Sequence, residues 1–541
     1  MASLPGSKLD AVQWDPDRAC LDGTRQQLLG DIIEWAHNPE SERIMWLSGG
    51  AGTGKSSVAN SVAQRLDSVG RLGASFRFDR AFATPDTPGQ LFGNLCHQLA
   101  LFDDQLRTGI LSAVRKHGSG GAMSLRQQAR TLLVEPTLGC GLIGPVVIMI
   151  DALDESGIDE GQSKATRRSL VNAIVHELPS FPDYIKVLIT SRDEGSILQL
   201  MPECPSCLCK RMADAEDTEK DILSYIHRRM GQIKKRRPDP LQEWPGETKE
   251  AELAMYADGL FIWADVACKF LESRGDPDMQ LEMLLISDKR VQAEVKLDYL
   301  FDHVMRSSFE SIGEDNWHYV VDSIVALKTP LTYRDMDLLL GLPTGLQGVA
   351  LVNGRHIVLT TSHGIISSLR PVLRIDSDMR DDVRLLHKSI FDFLTGRADD
   401  SIRVDLDMQH GMLALRCLEF MNQKLHYDIC GIGDTSLLNS EVSGLAGLVH
   451  EHIPEALRYA CRHFSHHLND MSRAHQEVTE KLQRFMTEHL LHWIEVMGLL
   501  KELPAAEQGL QVLSDYLTVS FILRLFESGL TFVTEEFNYR S

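Results

Sequence analysis

Cysteine is scarce in this chain, with ten among 541 residues at irregular spacings. That excludes a small disulfide-built domain and suits a reducing compartment. The tightest grouping, Cys204, Cys207 and Cys209, lacks the second pair a structural zinc site needs, so plain thiols are expected there. No apolar run approaches the ~20 residues that span a bilayer. The opening stretch from Met1 to Lys8 lacks the apolar core of a secretory signal. A cytoplasmic protein without a membrane segment is therefore expected. Positive charge is also in deficit. The formal net charge of −21 argues against nonspecific binding to nucleic acid or to an anionic membrane. A local basic run, Lys234-Lys235-Arg236-Arg237, reads as a solvated loop. There is no forty-residue self-similarity and no series of Trp-Asp dipeptides, so no repeat array is expected.

What is present is ordinary for a folded chain, with 43% hydrophobic and 24% charged residues. The length calls for roughly three to five domains. The decisive stretch is Gly49-Gly50-Ala51-Gly52-Thr53-Gly54-Lys55-Ser56, followed by Ser57. It fits the phosphate-loop pattern G-x-x-x-x-G-K-[S/T] without mismatch. The run Ile44 to Ser48 before it reads as a buried strand, and Val58, Ala59, Val62, Ala63 and Leu66 after it recur at helical spacing. Strand, glycine loop and helix together aim backbone N–H groups at one point, where the helix N-terminus adds partial positive charge. In that setting Lys55 reaches the β- and γ-phosphates, and the Ser56 hydroxyl ligates Mg²⁺.

Val146 to Ile150 reads as a strand buried on both faces, followed by Asp151-Ala152-Leu153-Asp154-Glu155. Acids at the C-terminal end of such a strand lie where ligands bind in open α/β sheets. Asp151 is assigned to Mg²⁺, and Glu155, assisted by Asp154, to the attacking water. Ile185 to Ser191 repeats the design and ends at Arg192, placed to sense a γ-phosphate. Ser206 to Met212 reads as a fifth, edge strand. The turn Cys20 to Arg25, just ahead of the first strand, is a candidate for adenine contact. No N-K-x-D guanine box follows any strand, so ATP/ADP is favoured and GTP disfavoured.

These three stretches resemble a NACHT domain, found in the STAND class of signalling NTPases. Asp221 to Ile226 and Ala257-Asp258-Gly259-Leu260-Phe261-Ile262-Trp263-Ala264 resemble the helical domain of the fungal members, and Leu385 to Leu394 resembles their winged-helix segment. The resemblance covers roughly residues 20 to 500 and includes fungal NACHT/WD40-type proteins, here without the repeats. It implies an α/β P-loop NTPase domain, with a parallel sheet and helices on both faces, followed by mostly helical domains including a winged helix. The expected division is 1–18 unstructured, 19–212 NACHT, 213–295 helical, 296–400 winged helix and 401–541 helical. Short strands are expected at Ile357-Val358-Leu359 and Ile365-Ile366. The resemblance also places His387 against the β-phosphate of ADP. Related switches carry a Gly-x-Pro turn that touches the base; Gly259-Leu260-Phe261 has Phe in place of that proline.

Three readings of function follow. One is a nucleotide-dependent switch that hydrolyses slowly, of the kind used in fungal self/non-self recognition, with other protein chains as partners and oligomerisation on activation. The second is a metabolic P-loop kinase, for which an Arg-rich lid is lacking. The third is an interaction scaffold that does not hydrolyse. His463 and His467 stand at i, i+4 without the Glu of a zinc-protease motif and read as a structural or solvent-facing pair.

Overall fold

Five short strands pair side by side in parallel: β1 (Ile44–Ser48), β2 (Leu72–Arg77), β3 (Val146–Asp151), β4 (Ile185–Ser191) and β5 (Cys207–Arg211), in the order β2-β3-β4-β1-β5. Alternate residues of the central strands face opposite sides, as the pleat requires. Ile44, Trp46, Ile148, Ile150, Val187 and Ile189 enter one apolar cluster. Met45, Leu47, Val147, Met149 and Leu188 enter the other. Burial on both faces is why these strands read as continuous apolar runs rather than alternating ones. Helices α1 (Gln26–His37) and α2 (Lys55–Ser68) cover the second face with Leu28, Leu29, Ile32, Val58, Val62 and Leu66. Helices α3 (Thr87–Phe102) and α4 (Gly161–Glu177) cover the first with Leu91, Leu95, Leu99, Leu170 and Ile174. The α/β sheet and the mostly helical remainder match the architecture expected from the sequence.

This is a computed structural model, and it describes residues 14–78, 87–118, 123–156, 161–236, 244–273, 275–285, 292–342, 347–352, 355–375, 382–433, 438–439, 441–472, 476–503 and 505–516. The chain groups into two compact units: Met1–Leu300 with His387–Ser389, and Phe301–Leu386 with Ile390–Ser541. The segment expected to be unstructured, 1–18, is described from Trp14 onward. There Trp14 Nε1 donates to Asp67 at 3.1 Å and the Asp15 N–H donates to Asn60 at 2.9 Å. Residues 1–13, Arg237 of the basic run and 517–541 of the chain end lie outside the described residues.

In the first unit the sheet is followed by α5 (Thr218–Arg236) and α6 (Phe261–Glu272). Lys234, Lys235 and Arg236 close α5 and are not in a loop: all are good helix formers, and the amphipathic face of the helix buries Ile222, Ile226, Met230 and Ile233. The start of α6 rests on the phosphate loop. The Ile262 N–H donates to the Gly52 carbonyl at 3.1 Å. Gly52 has φ 75, and a Cβ there would lie 2.0 Å from Ile262 Cγ2. Glycine is thus required at this position both by backbone conformation and by the closeness of α6.

The second unit carries a three-stranded antiparallel sheet, β6 (Leu331–Thr332), β9 (Leu373–Ile375) and β10 (Asp382–Leu385), with β10 in the middle. A separate hairpin pairs β7 (Gln347–Val352) with β8 (Arg355–Thr360), so the strand expected at Ile357-Val358-Leu359 is present. The strand expected at Ile365-Ile366 is not: Ser362–Ser368 is a helix that buries both isoleucines. Its start is fixed by tertiary bonds, since the Ser362 N–H donates to Asp337 and the Ser362 hydroxyl to the Tyr333 carbonyl, both at 2.9 Å. These override the β preference of two adjacent isoleucines.

Helices α7 (Leu406–Lys424) and α8 (Glu455–Asp470) pack together in this unit around a buried polar chain. The Lys328 N–H donates to Tyr459 Oη at 3.0 Å, and the hydroxyl donates to His467 Nε2 at 2.8 Å. His467 Nδ1–H then donates to His410 Nδ1 at 3.0 Å, leaving His410 Nε2–H facing Asp470 at 3.9 Å. Thr329 bonds His463 Nε2 at 3.2 Å. Every ring in this order is neutral. Burial pushes His463 and His467 well below the ordinary histidine value, and His410 down to about 4. The His463/His467 pair is thus structural.

Two predictions follow. In the unfolded chain these rings titrate near 6.5, so the unfolded state takes up more protons below that pH. Stability is lost from there down toward the folded values. The charged groups facing the rings are Lys328, Arg462, His466, Asp407 and Asp470, with Lys328 opposing protonation of all three. The unfolding temperature of the second unit should fall steeply between about pH 6.5 and about pH 4.5; a flat profile by circular dichroism would contradict the neutral chain. Separately, Gly52→Ala should destabilise the first unit by about 1–3 kcal/mol. Adding Ile262→Ala, which removes the clashing methyl, should restore part of the lost melting temperature.

Candidate functional site

Between β1 and α2 the loop Gly49 to Ser57 carries two left-handed glycines, Gly52 (φ 75) and Gly54 (φ 94). Gly54 caps α2, and the Val58 N–H closes the first helical bond on its carbonyl at 3.0 Å. The N–H groups of the first turn have no partner within the helix and face the loop, which suits an anion. Thr53 Oγ1 donates to the Gly50 carbonyl at 3.0 Å. Lys55 Nζ donates to the carbonyls of Gly49 and Gly50 at 2.7 and 2.8 Å. Burial lowers the Lys55 pKa, against the pull of Asp154 and Asp151. Ala51 and Ser57 complete the loop, the Ser57 carbonyl accepting from Ser61 Oγ at 2.9 Å.

The sheet brings the acids of β3 beside this loop. Ser56 Oγ donates to Asp151 Oδ1 at 3.1 Å, and Thr190 Oγ1 donates to the same oxygen at 2.5 Å. The Ala152 N–H donates to Thr190 Oγ1 at 3.0 Å, so one hydroxyl sets both the Asp151 rotamer and the strand end. Ala152 then takes a left-handed conformation, φ 56, which is rare for a residue with a Cβ. The turn Leu153–Glu155 follows, with Asp154 buried and Glu155 half-buried.

Asp154 is the most heavily countered acid of the site. It accepts the Arg192 N–H at 3.0 Å and lies 3.4 Å from Arg192 Nε and 3.5 Å from Lys388 Nζ. Burial acts to raise its pKa, but Lys388, Lys55 and Arg192 outweigh burial and hold the carboxyl below its ordinary range. Lys388 belongs to His387–Ser389, the short stretch that groups with the first unit. His387 Nδ1 accepts from the Ser389 N–H at 3.1 Å and pairs with Ser389 Oγ at 2.8 Å. That assigns the ring proton to Nε2. Loss of water, and then Arg192, Lys55 and Arg77, push His387 down to about 3, so the ring is neutral here.

Two groups implied by the resemblance fit these residues. For Mg²⁺, Ser56 and Asp151 offer a hydroxyl and one carboxylate. The described residues hold no cluster of three or more His, Cys, Asp or Glu that would cage a metal. That suits an ion that keeps waters and takes its other ligands from phosphates. For a polyphosphate, Lys55, Arg77, Arg192 and Lys388 gather around Asp151 and Asp154 and place four cations beside the backbone N–H groups of the loop.

At the other end of the loop, Arg25 is buried with φ 55. Its N–H donates to Asp221 at 2.9 Å, and its guanidinium donates to Thr218 at 2.6 Å and to the Thr53 carbonyl at 3.2 Å. The same guanidinium lies 5.1 Å from the centre of the Phe261 ring. The Gly259-Leu260-Phe261 turn therefore reaches the phosphate loop without the proline of related proteins. Nearby, a cavity of about 350 Å³ is lined by Cys20, Leu21, Asp22, Thr24, Ser61 and Arg228, among others, which includes the turn read from sequence as an adenine contact.

The structure thus brings together Ser56 with Asp151, and Lys55, Asp154, Arg192 and His387 around one point. Arg77 was not singled out from sequence, and Thr190, Arg25 and Lys388 stood only within longer stretches, with no role of their own. Thr190 had a signal, a hydroxyl at the end of the strand flanked by the two ligand-bearing strands. Lys388 had none, because its partner Asp154 is remote in the chain.

Comparison with known proteins adds three findings. The family model for the N-terminal region of nephrocystin 3 matches residues 23–192. The vegetative incompatibility protein HET-E-1 of Podospora anserina is 23% identical over 560 residues, covering 95% of this chain and 38% of that protein. The chain thus spans well under half the length of the curated relative it matches. Among solved structures, a STAND protein with a tetratricopeptide repeat sensor from Pyrococcus horikoshii is similar at a TM-score of 0.41 and 13% identity, covering 94% of this chain and 60% of that one. By the phosphate loop, the acidic strand end and the sequence matches to the N-terminal region of nephrocystin 3 and to HET-E-1, the chain is similar to fungal NACHT-type proteins of the STAND class.

Proposed function

We propose that the first unit binds ATP and ADP with Mg²⁺ at Gly49 to Ser57, and that the chain works as a nucleotide-dependent signalling switch which hydrolyses slowly. The observation that carries this reading is the pairing of Ser56 with Asp151 beside Lys55, at the helix N-terminus that follows the glycine loop. The backbone N–H groups of the loop cradle phosphate oxygens, and Lys55 leaves the Gly49 and Gly50 carbonyls for them. Ser56 and Asp151 would hold the metal ion, which would supply neutralising charge to the phosphates. Thr190 keeps the Asp151 carboxylate aimed at Ser56. Glu155 positions the attacking water, with Asp154 assisting; Arg192 senses the terminal phosphate, and His387 donates its Nε2–H to the β-phosphate. The cavity at Cys20 to Thr24 receives the base.

The name of the Podospora relative, a vegetative incompatibility protein, supports a role in fungal self/non-self recognition, with other protein chains as partners and oligomerisation on activation. The domain division proposed from sequence, with NACHT at 19–212, a helical domain at 213–295, a winged helix at 296–400 and a helical domain at 401–541, goes with this reading.

Lys55→Ala should abolish binding of labelled ATP to the full chain; unchanged affinity would remove the phosphate-loop assignment. Glu155→Gln should keep ATP affinity while turnover drops by several kcal/mol of barrier. If Glu155→Gln turns over like the unaltered chain, the water is positioned by another group.

A further inference from the structure

Lys388 is not used by the reading above, yet it is among the most confined cations in the first unit. Its side chain is 10% exposed, and its ammonium lies 3.5 Å from Asp154 Oδ2 and 3.6 Å from Glu194 Oε1. Removing a lysine from water is costly unless its charge is answered. Here the nearer acid, Asp154, is already engaged by the Arg192 N–H and guanidinium and feels the charge of Lys55. The farther acid, Glu194, is 36% exposed and thus partly screened by solvent. Asp154 is thus answered by three cations, Lys388, Lys55 and Arg192, and Lys388 is the one of them that comes from outside the sheet and its loops.

That position matters for how many phosphates the site favours. ATP carries one more negative charge than ADP, borne by the terminal phosphate, and Lys55 is the side chain that reaches the β- and γ-phosphates. A third phosphate adjoining Asp154 faces a carboxylate. Whether this costs or gains free energy depends on how fully Asp154 is neutralised. With Lys388 in place three cations answer Asp154; without it, Arg192 and Lys55 must serve both the carboxylate and the phosphate. Between charges a few ångströms apart in a partly buried site, such a difference is large enough to alter selectivity.

We propose that Lys388 is a specificity-determining cation that sets the preference of the site for the triphosphate over the diphosphate, by neutralising Asp154 beside the terminal phosphate. The proposal rests on the nucleotide reading of the phosphate loop. Lys388 acts through Asp154 as a positioning and charge-balancing residue.

The test uses the full chain and equilibrium titration with ADP and with a non-hydrolysable ATP analogue at fixed Mg²⁺. Lys388→Met keeps the length of the stem and removes the charge. Its Kd for the ATP analogue should rise about tenfold more than its Kd for ADP, the change expected from one close charge. Lys388→Arg should restore most of the lost discrimination. Combining Lys388→Met with Asp154→Asn should shrink the differential, because the carboxylate that needs neutralising is gone. Equal weakening of both nucleotides, no change in either, or a differential unaltered by Asp154→Asn would overturn the proposal. Lys55→Ala separates this failure from that of the underlying reading. If Lys55→Ala binds both nucleotides like the unaltered chain, the loop is not the nucleotide site whatever Lys388 does. If it loses both, the loop stands and the Lys388 result judges the role of Lys388 alone.

Discussion

A buried carboxylate answered by several cations is the constraint on which the site depends. Asp154 is 3% exposed, a position where an ionised acid persists only with partners. Arg192 supplies two of them, one from its backbone and one from its side chain, and Lys388 and Lys55 supply the rest. Each cation is in turn held near the phosphate loop by the acid. The electrostatics are therefore preorganised: positive groups are gathered at one point before any anion arrives, so binding one need not recruit them from solvent. Asp151 is organised differently. Its neighbours are hydroxyls, from Ser56 and Thr190, on one oxygen, with the Arg77 guanidinium as its ion-pair partner at 3.7 Å on the other.

The sheet makes this possible by its order. β4 lies between β1 and β3, so the loop after β1 and the acids after β3 flank the same strand end, and Thr190 on β4 bonds to Asp151 on β3. Residues from outside the sheet complete the surround. Arg25, ahead of β1, ties the phosphate loop to α5 through Thr218 and Asp221, while the N-terminus of α6 takes the Gly52 carbonyl. The loop is thus read on one side by acids and cations and on the other by helices that follow the sheet. Such an arrangement ties the conformation of the loop to the helical part of the same unit.

Much of this was legible in the amino-acid order. Strands buried on both faces appear as unbroken apolar runs, and the residues that follow them stand at the C-terminal edge of the sheet, so Asp151, Asp154 and Arg192 were visible together with the loop. Local pattern carries less where tertiary contacts decide. Ile365 and Ile366 have strand preference but enter a helix because Asp337 and Tyr333 hold its first turn. Lys234 and Lys235 look like loop charge but extend an amphipathic helix whose other face is buried. Lys388 was invisible because its role depends on a carboxylate remote in sequence, and no local spacing encodes that pairing.

The central claim is that this preformed cluster of charge is a nucleotide site serving a slow switch. The most direct measurement is the nucleotide content of the full chain as purified, together with its turnover of added Mg-ATP. The account predicts that the denatured protein releases adenine nucleotide close to stoichiometrically and that the intact protein turns over far more slowly than a metabolic kinase. Protein that carries no nucleotide and acquires none from Mg-ATP, or that turns over at roughly tens per second, would contradict it.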